Sequence, residues 1–214
     1  DGTELGPDEY QGLTGIAYTV TPNSNIAEYY ELVEVPANAS GTYTDSLIEV
    51  NYYYRLKDYN YTVEYYFDSV IDDTLTYTET EVYGTEITTY TDKVKNGYKL
   101  KEVINYPLTI NEDETQNVIK VYYEKVADLS YTVKYLEQGS NKELSTEKVV
   151  NNQTYGESIT ETAIDIEGYN KVNDTETIVV ELTGNEIIFY YTKRNDLSYT
   201  INYYEQETKI KLLE

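Results

Sequence analysis

The side chains in this sequence that could do chemistry are carboxylates, tyrosines and a few lysines. There is no His and no Cys. That removes the usual neutral-pH general base, the commonest metal ligand and all thiolate chemistry. No nucleophile–base pair can be assembled and no phosphate-binding glycine loop is visible, so neither catalysis nor a cofactor is expected. Two acidic clusters stand out, Asp68 with Asp72-Asp73, and Glu112-Asp113-Glu114. Ca²⁺ takes about six to eight oxygen ligands. Neither cluster has alternating ligand spacing around a central Gly, and both are read as solvated acidic turns. Lys120 or Lys134, near an Asn, would form an intramolecular isopeptide crosslink only if Lys, an Asn or Asp and a neighbouring acid were buried together. The default reading is a solvated partner of Glu across a strand pair. Tyrosine is the outlier, with 28 copies against two Phe. The doublets Tyr65-Tyr66, Tyr122-Tyr123, Tyr190-Tyr191 and Tyr203-Tyr204 put one ring in a core and one outside it. An outer ring can stack on a sugar, but pairing across strands is the expected arrangement.

Charge narrows the partners. The chain carries 16 Lys+Arg against 39 Asp+Glu, a formal net charge of −23. Nucleic acid and anionic membrane surfaces would be repelled. No apolar run approaches membrane-spanning length. There is no Met in the 214 residues, so these residues are expected to be a mature or excised piece of something longer. A cysteine-free, acidic chain rich in Tyr, Thr and Asn reads as an exported surface protein.

The elements that must position these side chains are announced by a stretch that recurs. Tyr61-Thr62-Val63-Glu64-Tyr65-Tyr66, Tyr131-Thr132-Val133-Lys134-Tyr135-Leu136 and Tyr199-Thr200-Ile201-Asn202-Tyr203-Tyr204 start 131−61=70 and 199−131=68 positions apart. Before each stands an aspartate-led triplet, read as an inter-repeat linker: Asp58-Tyr59-Asn60, Asp128-Leu129-Ser130 and Asp196-Leu197-Ser198. A fixed period means an array of small domains. Residues 1–60 read as a repeat lacking its opening strand, with Asp1 to Glu4 as the far side of a hairpin turn. Residues 61–130 and 131–198 read as complete repeats, and 199–214 as the opening strand of a further one with an incomplete partner at Lys209 to Leu213. Ile48, Val50, Tyr52 and Tyr54 alternate with polar or outer positions, which predicts a closing strand over 48–54. The Tyr83–Thr88 segment is expected to hold one or two helical turns.

Four segments of the third copy carry a resemblance to a known family. Tyr131 to Leu136, then Tyr155-Gly156-Glu157-Ser158, then Ile166-Glu167-Gly168-Tyr169, then Ile188-Phe189-Tyr190-Tyr191 together resemble the MucBP (mucin-binding-protein) repeat of Gram-positive surface proteins. The resemblance covers essentially the whole chain as a shifted window over consecutive repeats. It implies a mainly β chain (α+β with minimal helix) of tandem ubiquitin-like β-grasp repeats. It further implies display on the cell surface or wall, outside the cell, and adhesion to host glycan or mucin.

In the implied fold the opening and closing strands of each repeat are parallel neighbours at the sheet centre. Both are the most apolar and aromatic segments of their repeat, as such a position requires. Entry and exit then lie at opposite poles, which predicts an extended rod whose pull loads the central ladder in shear. The leading expectation is a structural or adhesive stalk whose partners are neighbouring repeats or identical subunits end to end. Tyr199, Thr200, Ile201, Asn202, Tyr203 and Tyr204 are a candidate donated strand for the gap in the first repeat of another copy. The alternative is a glycan- or mucin-binding module using exposed tyrosines.

Overall fold

The computed structural model describes residues 8–212; the expected hairpin side at Asp1 to Glu4 and the final Leu213 lie outside them. The described residues are nearly all strand and turn, with one short 3-10 turn at Ser24–Ile26 and no α-helix. They divide into two compact units. Unit 1 holds the described residues up to Lys93 together with Lys101–Tyr123; unit 2 holds Val94–Leu100 and the described residues from Glu124 onward.

In unit 1, β1 (Ala17–Thr19), β2 (Tyr30–Glu34), β3 (Ser40–Thr42) and β4 (Tyr53–Leu56) form two antiparallel pairs, β1 with β3 and β2 with β4. The closing strand expected over 48–54 is shorter and later, at Tyr53–Leu56. The alternation itself persists: Ile48, Val50, Tyr52 and Tyr54 are half-buried and Glu49, Asn51 and Tyr53 exposed. Among the described residues β4 is laddered to β2 alone, so only the part opposite β2 has backbone partners to register as strand.

The next stretch builds a five-stranded sheet from β5 (Asp58–Phe67), β6 (Val70–Ile71), β7 (Tyr77–Val82), β9 (Tyr98–Ile104) and β11 (Val118–Lys125). Short β8 (Glu86–Ile87) and β10 (Leu108–Thr109) pair with each other beside it. The period-two pattern explains the core. Tyr61, Val63, Tyr65 and Phe67 of β5 are buried, and so are Ile119, Val121 and Tyr123 of β11, while the residues between them face outward. Ile87, Leu108 and Ile110 close the other side.

Unit 2 repeats the plan with β12 (Leu129–Glu137), β13 (Glu143–Gln153), β14 (Ser158–Thr162), β15 (Tyr169–Lys171), β16 (Thr175–Val179) and β17 (Glu186–Lys193). The sheet order is β13-β12-β17-β15, with β14 and β16 as a separate antiparallel pair. Tyr131, Val133 and Tyr135 pack with Ala163, Ile187, Phe189 and Tyr191.

The helical turns expected at Tyr83–Thr88 are instead a tight turn leading into β8. Gly84 (φ +79°) and Gly156 (φ +78°) occupy the left-handed region where a side chain would be strained. Their N–H groups donate to the carbonyls of Ile110 at 3.0 Å and Val180 at 2.8 Å. These backbone donors are therefore spent on residues just past the ends of β10 and β16 and cannot propagate a helix.

Candidate functional site

Two strands of the 61–130 stretch, and two of the 131–198 stretch, meet as the fold expectation required. β5 and β11 run parallel, with six residue pairs from Thr62↔Val118 to Phe67↔Tyr123. β12 and β17 do the same, from Thr132↔Glu186 to Glu137↔Tyr191. Backbone bonds seal both ends of each pair. At the start, Thr62 N–H donates to the Asn117 carbonyl at 2.9 Å, and Thr132 N–H to that of Asn185 at 3.0 Å. At the finish, Asp68 N–H donates to Tyr123 at 3.1 Å, and Gln138 N–H to Tyr191 at 2.9 Å. Each repeat is therefore entered at one end of its parallel pair and left at the other.

An asparagine stands immediately before each closing strand. Asn117 is fully buried, the one polar residue so described. Its side-chain oxygen accepts from Asn111 N–H at 2.9 Å, and its amide nitrogen donates to the carbonyls of Asn111 at 2.7 Å and Asn60 at 3.2 Å. Asn185 does the same work in the other repeat. It accepts from Glu181 N–H at 2.7 Å and donates to Glu181 at 2.8 Å and Ser130 at 3.2 Å. The side chain thus ties the loop before the closing strand to the backbone just before the opening strand's buried run. The buried amide of Asn117, bonded through both its oxygen and its nitrogen, fixes geometry, since breaking one of these bonds leaves a polar group of a buried side chain without a partner. The sequence reading missed this pair. The available signal was the recurrence of Asn at 185−117=68 positions, the same step as that between the second and third tyrosine stretches.

The outward face of the parallel pairs carries paired charges and rings. Lys120 lies 3.9 Å from Glu64, and Lys134 pairs with Glu186, which raises its pKa. Both lysines are part-exposed, and Asn117 and Asn185 have given their side-chain amides to backbone carbonyls, so no crosslinking geometry is assembled around them. Tyr66 and Tyr122 stack with centroids 4.6 Å apart and planes at 17°. The Tyr66 hydroxyl donates to Glu64 at 2.6 Å, and that bond with burial pushes its pKa up to about 12. Inside, Tyr131 donates to Glu161 at 2.5 Å and Tyr191 to the Ile164 carbonyl at 2.9 Å. Burial first, and for Tyr131 the Glu161 bond second, pushes both phenols up to about 12. Glu161 is held below its ordinary range by Lys148, 2.6 Å away, and then by Tyr131.

The expected linkers are shorter than the sequence suggested. Asp58, Tyr59 and Asn60 are strand, paired with Val82, Glu81 and Thr80 of β7. Leu129 and Ser130 belong to β12, and Asp128 turns the chain at φ +62°. The reason is the length of the antiparallel neighbour, which reaches past the tyrosine stretch and extends the ladder backward. Between strands only Lys57 remains in the first case and Val126 to Asp128 in the second. Asp196, Leu197 and Ser198 lie outside any strand. Tyr199, Thr200, Ile201, Asn202, Tyr203 and Tyr204 form no named strand; an isolated bridge joins Tyr204 to Lys211. Both rings of Tyr203-Tyr204 are exposed, unlike the other three doublets, where Tyr65, Tyr123 and Tyr191 are buried. The acidic residues act as loop acceptors. Asp72 caps Thr74, Asp113 accepts from Thr115 and Gln116, and Glu114 accepts from Asn60 N–H.

The family model described as the MucBP domain matches residues 1–55 and 131–192, together more than half of the chain. No curated protein matches. Among solved structures, the Type 2 repeat of the mucus binding protein MUB from Lactobacillus reuteri is similar at 14% identity with a TM-score of 0.24. The match covers 63% of this chain and 99% of that one. The structure titled Mub-RV is similar at 14% identity and a TM-score of 0.22, over 63% of this chain and 98% of its own.

Proposed function

This chain belongs to the MucBP domain family, and we propose that it serves as a structural and adhesive array of repeats in a bacterial cell-surface protein. The observation that carries the proposal is the parallel opening and closing pair, sealed by the same asparagine latch, in two successive copies. Pull applied through the chain enters at one end of each pair and leaves at the other. The hydrogen bonds between the strands are then loaded side by side, and several must fail together. A chain without His or Cys, several of whose carboxylates accept loop hydrogen bonds or pair with lysines, suits a mechanical role. We divide it at 61, 131 and 199, following the recurring stretch, and place it outside a Gram-positive cell. The test is adhesion under load: beads coated with the chain should hold to a mucin-coated surface in flow. Detachment equal to that of beads carrying an unrelated acidic β protein would refute the reading.

Direct glycan recognition is the second reading. Its supporting observation is that the outer ring is stacked in one repeat and free to meet a ligand in the other. Tyr66 and Tyr122 cover each other, whereas Tyr190 is 36% exposed beside Leu136. Tyr190→Ala should then weaken mucin binding and Tyr122→Ala leave it nearly intact. Strand exchange between copies rests on the exposure of Tyr199 (87%) and Ile201 (58%). Removal of residues 199–214 should abolish any polymers seen by electron microscopy.

A further inference from the structure

Within unit 1, Lys57 N–H donates to the Tyr29 carbonyl and the Lys57 carbonyl accepts from Tyr83 N–H, both at 2.9 Å. The Tyr83 ring stacks on Tyr29, with centroids 4.4 Å apart and planes at 19°. Within unit 2 the same circuit recurs. Val126 N–H donates to the Gly97 carbonyl, and the Val126 carbonyl accepts from Tyr155 N–H, both at 2.9 Å. The Tyr155 ring lies so close over Gly97 that a Cβ built there would overlap it, and Gly97 is buried. Asn96 adds a bond from its side-chain amide to the Tyr155 hydroxyl at 3.3 Å. In both cases the tyrosine heads a Tyr-Gly turn of one sequence repeat, and its ring sits on the loop of the repeat before.

The first half of the circuit occurs a third time. Arg194 N–H donates to the Gly168 carbonyl at 2.9 Å. Gly168 corresponds to Gly97, with φ +80° against +81°, yet nothing lies within 4 Å of where its Cβ would stand. It is half-buried where Gly97 is buried.

We infer that each Tyr-Gly turn is a key whose lock is the loop and linker peptide of the preceding repeat, and that Gly168 with Arg194 presents the same lock to the Tyr-Gly turn of a following repeat. This rests on the reading of the chain as an array and adds how consecutive repeats are joined. One backbone bond fixes the linker to the loop behind it. A second fixes the next turn to the linker, and the ring then covers the loop, stacking on Tyr29 in the first junction and filling the space that Gly97 leaves in the second. The turn's own glycine N–H is bonded to the repeat core, at Ile110 or Val180. A strain on the linker therefore passes directly into the body of the following repeat.

The matched φ values supply the experiment. Gly97→Ala and Gly168→Ala carry the same backbone strain in the full chain, but only Gly97→Ala meets a ring. Amide hydrogen exchange at Tyr155 and Val126 should quicken about tenfold or more in Gly97→Ala, with no such change at Arg194 in Gly168→Ala. In the Tyr155→Ala background, Gly97→Ala should cost no more than Gly168→Ala, because the alanine then has room. Should Gly97→Ala fail to fold, Tyr155→Ala alone must still quicken exchange at Val126. When a copy of residues 131–198 is appended after Ser198, Gly168→Ala should become as disruptive as Gly97→Ala. Equal effects of the two glycine changes in the original chain, or a silent Gly168→Ala in the extended one, would overturn the inference. Exchange reads the junction without any ligand, so failure of mucin adhesion would leave this result standing and the reverse.

Discussion

The side-chain amide of Asn117 donates to the backbone carbonyl of Asn60 at 3.2 Å, across 57 positions of sequence. Those two residues sit at the starts of the strand that closes a repeat and the strand that opens it. The bond has its counterpart in Asn185 and Ser130, so it belongs to the repeat rather than to one loop.

Removing that amide tests its share of stability. Asn117→Ala removes a fully buried side chain and leaves the Asn111 N–H and the carbonyls of Asn111 and Asn60 without its bonds, which costs about 1–3 kcal/mol. Asn185 is half-buried, so water can reach the groups it leaves behind and Asn185→Ala should cost less. Urea unfolding of each variant measures the difference. Equal midpoints to the parent would show that the latch contributes nothing.

The two faces of a closing strand should respond differently. Ile119 has 0% exposure and its neighbour Lys120 faces out toward Glu64. Ile119→Ala should cost about 2–5 kcal/mol through the cavity it leaves. Lys120→Ala should cost less than about 1 kcal/mol, the usual worth of an exposed pair. Thermal melting of both variants separates them, and a reversal of order would mean the strand faces are assigned wrongly.

Alkaline pH should unfold the chain in a defined window. Tyr131 and Tyr191 have phenols pushed up to about 12 in the fold, against an ordinary value of 10.0. A raised folded pKa means that the folded state holds its proton where the unfolded chain gives it up. The stabilisation is therefore complete below pH 10 and is lost as pH rises toward about 12. The melting temperature should fall steadily over that interval, with tyrosinate absorbance rising as structure is lost. Full ionisation of these phenols near pH 10 with the fold intact would contradict the assignment.

What could be read from the residues alone divides along physical lines. The buried runs Tyr61-Val63-Tyr65 and Tyr131-Val133-Tyr135 were legible because a period of two in hydrophobicity has one structural meaning. The parallel pairing followed from the family resemblance together with the apolar character of both strands. Strand ends were not legible, since Asp58 to Asn60 are held as strand by β7, a partner chosen by tertiary structure. The Tyr83-Gly84 turn was mistaken for helix because the residues that take its backbone donors, above all Ile110, are distant in sequence. The latch was hidden for a related reason. An asparagine in a polar loop normally signals a turn, and only its burial shows that Asn117 closes the strand pair.

Pulling single molecules by their two ends tests the load path most directly. Two resolved unfolding events are expected, each releasing about 200 Å for a repeat of this length. Asn117→Ala should lower the force of one event and Asn185→Ala that of the other. Smooth extension at low force, or two events whose forces ignore both substitutions, would contradict that path.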